Sequence, residues 1–518
     1  MTLISRAGRF AGMSVMVGLL LAGCNKGPDR TQVAADLQKS VEDYLAQVEG
    51  PQDKRVVSHS AVKVSPQQDA GYLVAIDGLK IGEPGQGYLD VGTVTYVLTP
   101  KDDKTYDASQ LTIPGDMQIK SSDGQPGGDL KLTNKAFSGT WLRDAQSFTK
   151  LDLQLADLVL TDPAHGTAKM AGAAFTVDST DKGSGLWDQN GKLALTGIDV
   201  SDQTDGHVSI KEVDVTSAIQ GLKLVDYAAK LKAMREAMAK PAPAATASTS
   251  TGDSTSTGDS TATGGTTSPA DAAVRDFAAA LPTLLSTFGS DFHLSGLSYQ
   301  APDQASSFDL GKAGFALTAT GFDQPKATVK FSIDHDALVL HGTEAQNELI
   351  AALVPANGAL IISLNGVPTK DLTALFADAA VTFGHSDPTA MEAQSALLFA
   401  RLQQLMQQDG VTVKIEPSHL TSAATNVDAT GLFSVQASAV HGAVGSLDIG
   451  ITGLDQVIAL AQKQADQDPE AAQYAAMVQS LLTYAQREQG SDGKPIDKFK
   501  VDVPQAGQLS VNGKPLPF

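Results

Sequence analysis

Apolar and polar residues alternate along much of this chain. Leu151, Leu153 and Leu155 point one way, while Asp152, Gln154 and Ala156 point the other. The same period of two marks Gly71 to Ile76, Val91 to Leu98, Lys192 to Ile198 and His207 to Val215. That period predicts β-strands with one wet face. Asp77-Gly78, Asp123-Gly124, Asn190-Gly191 and Asp205-Gly206 are turn signals between them. Successive strands joined by short turns pair antiparallel, so Val56 to Val215 reads as one antiparallel β region.

Helical spacing brackets that region. Val33, Leu37, Val41, Tyr44, Leu45 and Val48 share one face of a helix over Thr31 to Val48, which Gly50-Pro51 stops. A second helix is expected over Ser217 to Lys240, with an apolar stripe of Leu224, Tyr227, Ala228, Leu231, Met234 and Met238. Such a helix can cover the dry face of the sheet.

Pro241 to Pro269 breaks the pattern. It contains no Leu, Ile, Val, Met or aromatic residue and repeats Thr-Gly-Asp-Ser-Thr from Thr251 and Thr257. A stretch of that composition buries too little to fold, so it reads as a disordered linker spanning roughly 30 Å. Beyond it comes a helix, Ala270 to Phe288, interrupted by Pro282. Strands follow at Phe292 to Tyr299, Ser307 to Leu317, Ala327 to Ile333 and Ala337 to His341. After them come helix Glu344 to Leu353, strand Ala359 to Leu364, and helices Thr369 to Ala380 and Pro388 to Gln408. Four strands between Val411 and Ile451, helices Leu454 to Ala465 and Pro469 to Gln486, and a hairpin of Phe499 to Val503 with Gln508 to Val511 complete the chain. Ile219-Gln220-Gly221-Leu222, Leu364-Asn365-Gly366-Val367 and Ile451-Thr452-Gly453-Leu454 each lead a strand into a helix. The expected fold class is α+β: two β-rich domains, 31–240 and 270–518, each a twisted or curved antiparallel sheet with helices packed on one face, joined by 241–269.

The N-terminus carries a different pattern. Arg6 and Arg9 precede an apolar run from Met13 to Leu21, and Leu21-Ala22-Gly23-Cys24 closes it. A run of nine residues is about half of what a bilayer-spanning helix needs, so 1–23 reads as a secretory signal. The segment resembles a bacterial lipoprotein signal peptide, whose lipobox is Leu-(Ala/Ser)-(Gly/Ala)-Cys. The resemblance implies cleavage after Gly23, a thioether-linked diacylglyceryl on Cys24 and an acylated new N-terminus. It also implies a protein tethered through 24–30, at most about 20 Å of chain, close to a membrane. Asn25 is not the aspartate that implies inner-membrane retention in lipoproteins of enteric type. The expected location is therefore the periplasmic face of the outer membrane.

Charge and cysteine usage narrow the chemistry. The formal charge is −20, and losing Arg6 and Arg9 with the signal makes it −22. Phosphate contacts need clustered Lys and Arg, so nucleic acid is excluded as a partner. Cys24 is the one cysteine. Once lipidated it leaves no thiol for disulfides, thiolate catalysis or cysteine–zinc sites.

Part of the second half is similar to the YdgA-like bacterial envelope proteins. The residues that carry the likeness are Leu281-Pro282-Thr283-Leu284-Leu285, Phe292 to Tyr299, the strand–glycine–leucine–helix units and Gly507 to Lys514. The likeness implies a periplasm-facing, repetitive, β-rich protein and assigns no catalytic residue.

No stretch names a reaction. Ser147-Phe148-Thr149-Lys150 has the Ser-x-x-Lys spacing of serine acyl-enzymes, but those place the pair on one helical turn, and here it enters an alternating strand. Asp334-His335-Asp336 offers metal-ligand types between two expected strands and reads as a polar hairpin turn. The nine histidines are scattered singly. Gly82 to Gly87 is glycine-rich but proline interrupts it and no helix follows. The expectation is a non-catalytic protein without cofactor or metal. It would bind or transfer a lipid or other hydrophobic ligand in an apolar trough on a curved sheet. The alternatives are an envelope assembly factor acting through protein partners and a hydrolase without a recognisable motif, for which Ser147 and Asp336 would be the residues to replace.

Overall fold

A computed structural model describes residues 30–49, 57–239 and 269–516, less short breaks and most of 384–409. The chain opens with α1 (Arg30–Glu49), whose Val33, Leu37, Val41 and Leu45 are buried. Strands β1 (Val57–Ser58), β2 (Ala61–Pro66), β3 (Tyr72–Ile81), β4 (Tyr88–Pro100), β5 (Thr105–Thr112) and β6 (Asp116–Lys120) follow. Five long strands come next: β7 (Pro126–Leu142), β8 (Ser147–Asp162), β9 (Gly166–Gly183), β10 (Leu186–Asp202) and β11 (Gly206–Lys223). Helices α2 (Leu224–Ala239) and α3 (Pro269–Leu284) precede β12 (Thr287–Gln300), β13 (Ser306–Thr320) and β14 (Lys326–Gly342). Short α4 (Glu348–Leu353), β15 (Pro355–Pro368) and α5 (Thr369–Phe383) lead to β16 (Thr412–Ser422), β17 (Asn426–Val435) and β18 (Ala443–Thr452). The remainder is α6 (Leu454–Gln464), α7 (Pro469–Leu482), β19 (Gln486–Gln489), β20 (Pro495–Val503), β21 (Ser510–Val511) and β22 (Lys514–Pro515).

Two separate β-rich domains are not what forms. All the described strands, 22 in number, belong to one antiparallel sheet. From β7 to β18 successive strands pair in chain order. The junction between the expected domains is itself a strand pair: β11 runs against β12 from His207 opposite Gln300 to Gln220 opposite Thr287. An unpaired edge at β11 would leave a row of free amides and carbonyls, and β12 supplies their partners. Helices α2 and α3 pack together at this junction, with the rings of Tyr227 and Phe277 5.5 Å apart and edge-on. The composition of 241–269 marks an interruption in the sequence and not a boundary in the sheet. Residues 241–268 lie outside the described residues.

The expected layer of helices on one face is also absent. Helix α1 enters a core built on β1 to β10, where Leu37, Ile76, Leu89, Leu98 and Leu153 are fully enclosed and Trp141 meets Phe148 edge-on at 5.2 Å. A second core gathers α2, α3 and α5 near the strand ends around Leu222, Leu224, Leu285, Val329 and Leu372. A third forms where α4, α6 and α7 meet β18 and β20, around Val457, Val478 and Phe499. The helices cluster at these places and leave the middle of the sheet uncovered.

Several boundaries differ from expectation. Ser217 to Lys223 belongs to β11, not to the following helix. Phe288 lies in β12, and the region from Val411 to Ile451 holds three strands. Ala327 to Ile333 and Ala337 to His341 are one strand, β14, and Asp334-His335-Asp336 is not a turn. The glycines of the three strand-to-helix units adopt positive φ: 62° at Gly221, 77° at Gly366 and 90° at Gly453. Gly453 is the most constrained of them, since a Cβ there would sit 1.8 Å from the Ala424 carbonyl.

Candidate functional site: an apolar trough

Residues that face each other across an antiparallel pair lie on the same side of the sheet. Followed from strand to strand, the register builds one continuous row: Phe137, Leu153, Phe175, Leu193, Val215, Phe292, Phe315, Ile333 and Leu360, on β7 to β15. Every member is a large apolar residue. The rows beside it on the same side are also mostly apolar. One runs Leu155, Ala173, Leu195, Val213, Leu294 and Ala313; another ends Leu317, Phe331, Ile362 and Ile415.

Exposure changes along the row. Leu153 is 1% exposed within the first core, whereas Phe292, Phe315, Ile333 and Leu360 are 37%, 40%, 49% and 41% exposed. Isolated exposed apolar side chains are ordinary, but a contiguous line of them marks a binding surface. Phe315 and Phe331 stack edge-on at 5.1 Å, so the aromatic part of the surface is packed.

A second row breaks the alternation. On β8 to β14 one residue per strand is skipped by the ladder at the same level: Asp157, Ala171, Gly197, Lys211, Gly296, Gly311 and Ala337. Every second one has positive φ, at 53° for Asp157, 60° for Gly197, 60° for Gly296 and 55° for Ala337. One residue drops out on both strands of each pair, so the register on either side is unchanged and the alternation within each strand shifts by one. This line of skipped residues, the crease, crosses seven strands at one level. All but Gly311 of these residues are exposed, whereas their apolar neighbours Ile210, Val213, Leu294, Leu297, Leu310 and Leu338 are half-buried. The skipped residues are therefore exposed on the polar side, and their apolar neighbours continue the apolar surface on the other. The extra residue keeps both flanks apolar on the same side, because Leu195 is followed by Ile198, and Leu294 by Leu297. At β14 the line ends where the Asn357 side chain accepts the Ala337 amide at 2.9 Å.

One polar ring interrupts the apolar surface. His335 stands beside the crease in the row Leu294, Ala313, His335, Gly358 and Leu420. Its Nε2 lies 3.1 Å from the Pro355 carbonyl. A carbonyl only accepts, so Nε2 carries the proton. Its ring and the Leu420 side chain meet over Gly358, where a Cβ would come within 2.7 Å of Leu420 Cδ1 and 2.9 Å of His335 Cε1.

The opposite side of the sheet is polar and salt-linked. Lys192 Nζ is 3.1 Å from Asp214 Oδ1, His207 Nε2 is 2.9 Å from Asp199, and His341 Nε2 is 2.8 Å from Asp309. Ser298 and then His341 hydrogen-bond to the Asp309 carboxyl and hold it below the usual carboxylate range. A cavity of about 470 Å³ on this side is lined by Thr176, Asp178, Lys192, Thr216, Gln220 and Asp291 among others. Those hydroxyls, amides and carboxylates are what a solvated strand face presents.

The sequence-derived candidates fall apart in space. Ser147 and Lys150 lie on strand β8, not on a helical turn, and Asp336 is on β14. Asp334 and Asp336 alternate with His335 and face the polar side. Among the described residues no three His, Cys, Asp or Glu side chains are arranged to hold a metal ion. Leu21, Ala22, Gly23 and Cys24, and part of the Gly82–Gly87 stretch, lie outside the described residues. No described helix is long and apolar enough to cross a membrane.

The row and the crease have a sequence signal that period-two reading passes over. In each of these strands the spacing of residues on the apolar side steps once from two to three: Leu155 to Leu158, Met170 to Ala173, Leu195 to Ile198, Ile210 to Val213, Leu294 to Leu297, Leu310 to Ala313 and His335 to Leu338. Seven such steps in successive strands mark one level of the sheet. No protein-family model, curated protein or solved structure matches this chain.

Proposed function

We propose that this protein is a lipid-anchored envelope protein that holds a lipid or similar hydrophobe in the trough, without catalysing a reaction. The observation that carries the reading is the exposed row Phe292, Phe315, Ile333 and Leu360 on the apolar side of the sheet. Four strands at about 4.8 Å spacing make that row roughly 14 Å long. One leaflet of a bilayer's hydrocarbon, half of about 30 Å, has nearly the same depth. An acyl chain laid across the strands meets carbon along its whole length, and the face of a sheet offers no backbone hydrogen bonds that a peptide would need.

The lipobox supports the location. Acyl chains on Cys24 would hold the protein at a membrane, since each buried CH2 adds about 0.8 kcal/mol. The periplasmic face of the outer membrane is the compartment that the residue after the cysteine favours. Replacing Cys24 with Ala should move the protein from the membrane to the soluble fraction and abolish incorporation of labelled palmitate.

The deciding experiment is native mass spectrometry of residues 25–518 expressed in the periplasm. Lipid retained in whole-number stoichiometry, and displaced in the Phe315→Asp variant, supports the reading. A bare protein mass that stays bare after incubation with mixed lipid vesicles rules it out.

A further inference from the structure

We propose that His335 selects the polar end of the ligand, an acyl lipid carrying a free hydroxyl; this rests on the trough being a lipid site. The imidazole stands on the apolar side of the sheet, two residues from Ile333 and one strand from the Leu360 that faces Ile333. It is thus at the edge of the most exposed part of the row. With Nε2 donating to the Pro355 carbonyl at 3.1 Å, Nδ1 is the ring nitrogen left to accept a hydrogen bond. Nδ1 lies 3.4 Å from the point where Gly358 lacks a Cβ. The glycine leaves room for the Cε1–Nδ1 edge of the ring beside the Leu420 side chain, on the apolar side of the sheet. On the same side of β11 and β12, Ser217 and Ser290 stand directly opposite each other and can satisfy one another. His335 has no such neighbour: Ala313 and Gly358 face it on its two sides.

An acceptor placed in a hydrocarbon-lined site discriminates between a ligand that donates to it and one that cannot. A neutral hydrogen bond contributes about 0.5–1.5 kcal/mol, which is up to about tenfold in affinity. Carboxylate or phosphate oxygens have no proton to give Nδ1, so a hydroxyl-bearing lipid is the class that fits.

The test compares a monoacylglycerol with its di-O-methyl ether, both titrated against residues 25–518. The expected result is a preference of about tenfold for the free hydroxyls in the unaltered protein. His335→Leu should bind the two equally while keeping affinity for the ether. His335→Gln, whose amide oxygen accepts, should restore part of the preference. Gly358→Ala displaces the ring without removing it and should lower the preference in the same direction. Equal binding by the unaltered protein, or a preference that survives His335→Leu, overturns the assignment and leaves the trough intact. Binding of neither probe overturns the trough reading and this one with it. Should His335→Leu fail to fold, the Gln and Ala variants still decide.

Discussion

Leu153 and Ile333 stand in the same row of one sheet, six strands apart, yet one is 1% exposed and the other 49%. The backbone register treats them alike, and what covers the sheet does not. Truncating them should therefore have unequal effects. Leu153→Ala should cost about 3 kcal/mol in urea unfolding, because it opens a cavity in an enclosed core. Ile333→Ala should cost less than about 1 kcal/mol. Equal costs would mean that Ile333 is covered in solution.

Charge placed on the row should separate ligand binding from folding. Phe315 and Phe292 face each other across β12 and β13, both partly in water. Phe315→Asp should leave the thermal midpoint within a few degrees, since the new carboxylate remains solvated. Lipid binding should fall at least a hundredfold, because a bound chain would strip water from that charge. The readout is lipid retained per chain after purification.

The crease makes a prediction about glycine. Gly296 has φ of 60°, and a Cβ there would lie 2.8 Å from the Cβ of Lys211. Gly296→Ala should cost about 2 kcal/mol from backbone strain and crowding. Gly289, in the same strand, has only ordinary neighbours at 3.8 Å or more. Gly289→Ala should be tolerated, with a difference in chemical denaturation midpoints reporting both.

Continuity of the sheet across β11 and β12 can be tested by cutting the chain. A protease site placed near Thr255 and cleaved after folding should give two fragments that elute together under native conditions. They should part only in denaturant, since the strand pair and the packing of α2 on α3 hold them. Fragments that separate in buffer would restore two independent domains.

A charge cluster closes the far end of the sheet. Arg487 donates from Nε to Asp497 Oδ1 at 2.8 Å and from Nη1 to Asp455 Oδ2 at 3.0 Å. The Asp497 side chain is almost fully enclosed. The two carboxylates, Asp497 foremost, push loss of the guanidinium proton well above its usual range. Arg487→Met leaves the enclosed carboxylate unpaired and should cost about 3 kcal/mol. Asp497→Asn in the same background should recover part of it.

Much of the local structure is legible in the residues alone. Alternation located the long strands, and the helical stripe of α1 matches the side chains that the core encloses. The larger arrangement is not legible, for two physical reasons. Strand pairing between β11 and β12 joins residues such as Gln220 and Thr287 across an excursion whose composition looks like a domain break. Nothing local in either strand records its partner. The second reason is the skipped residue at Ala337, which shifts the alternation and made one strand look like two around Asp334-His335-Asp336. His335 itself keeps the period of two from Phe331 and Ile333 and so stands on the apolar side, which reading Asp334-His335-Asp336 as a turn left unseen.

A strand in the middle of this sheet leans almost entirely on its two neighbours, as a repeat does in a solenoid. Stability is then transmitted from one end to the other only through successive strand pairs. Enclosed cores are strong links at both ends of the sheet and at one end of β12 to β15, and the half-wetted rows midway along those four strands are the weak ones. The empty protein is accordingly least tightly coupled across those rows. A chain of carbon lying across those four strands touches all of them at once, so the ligand would be the element that makes the molecule unfold as a single cooperative body.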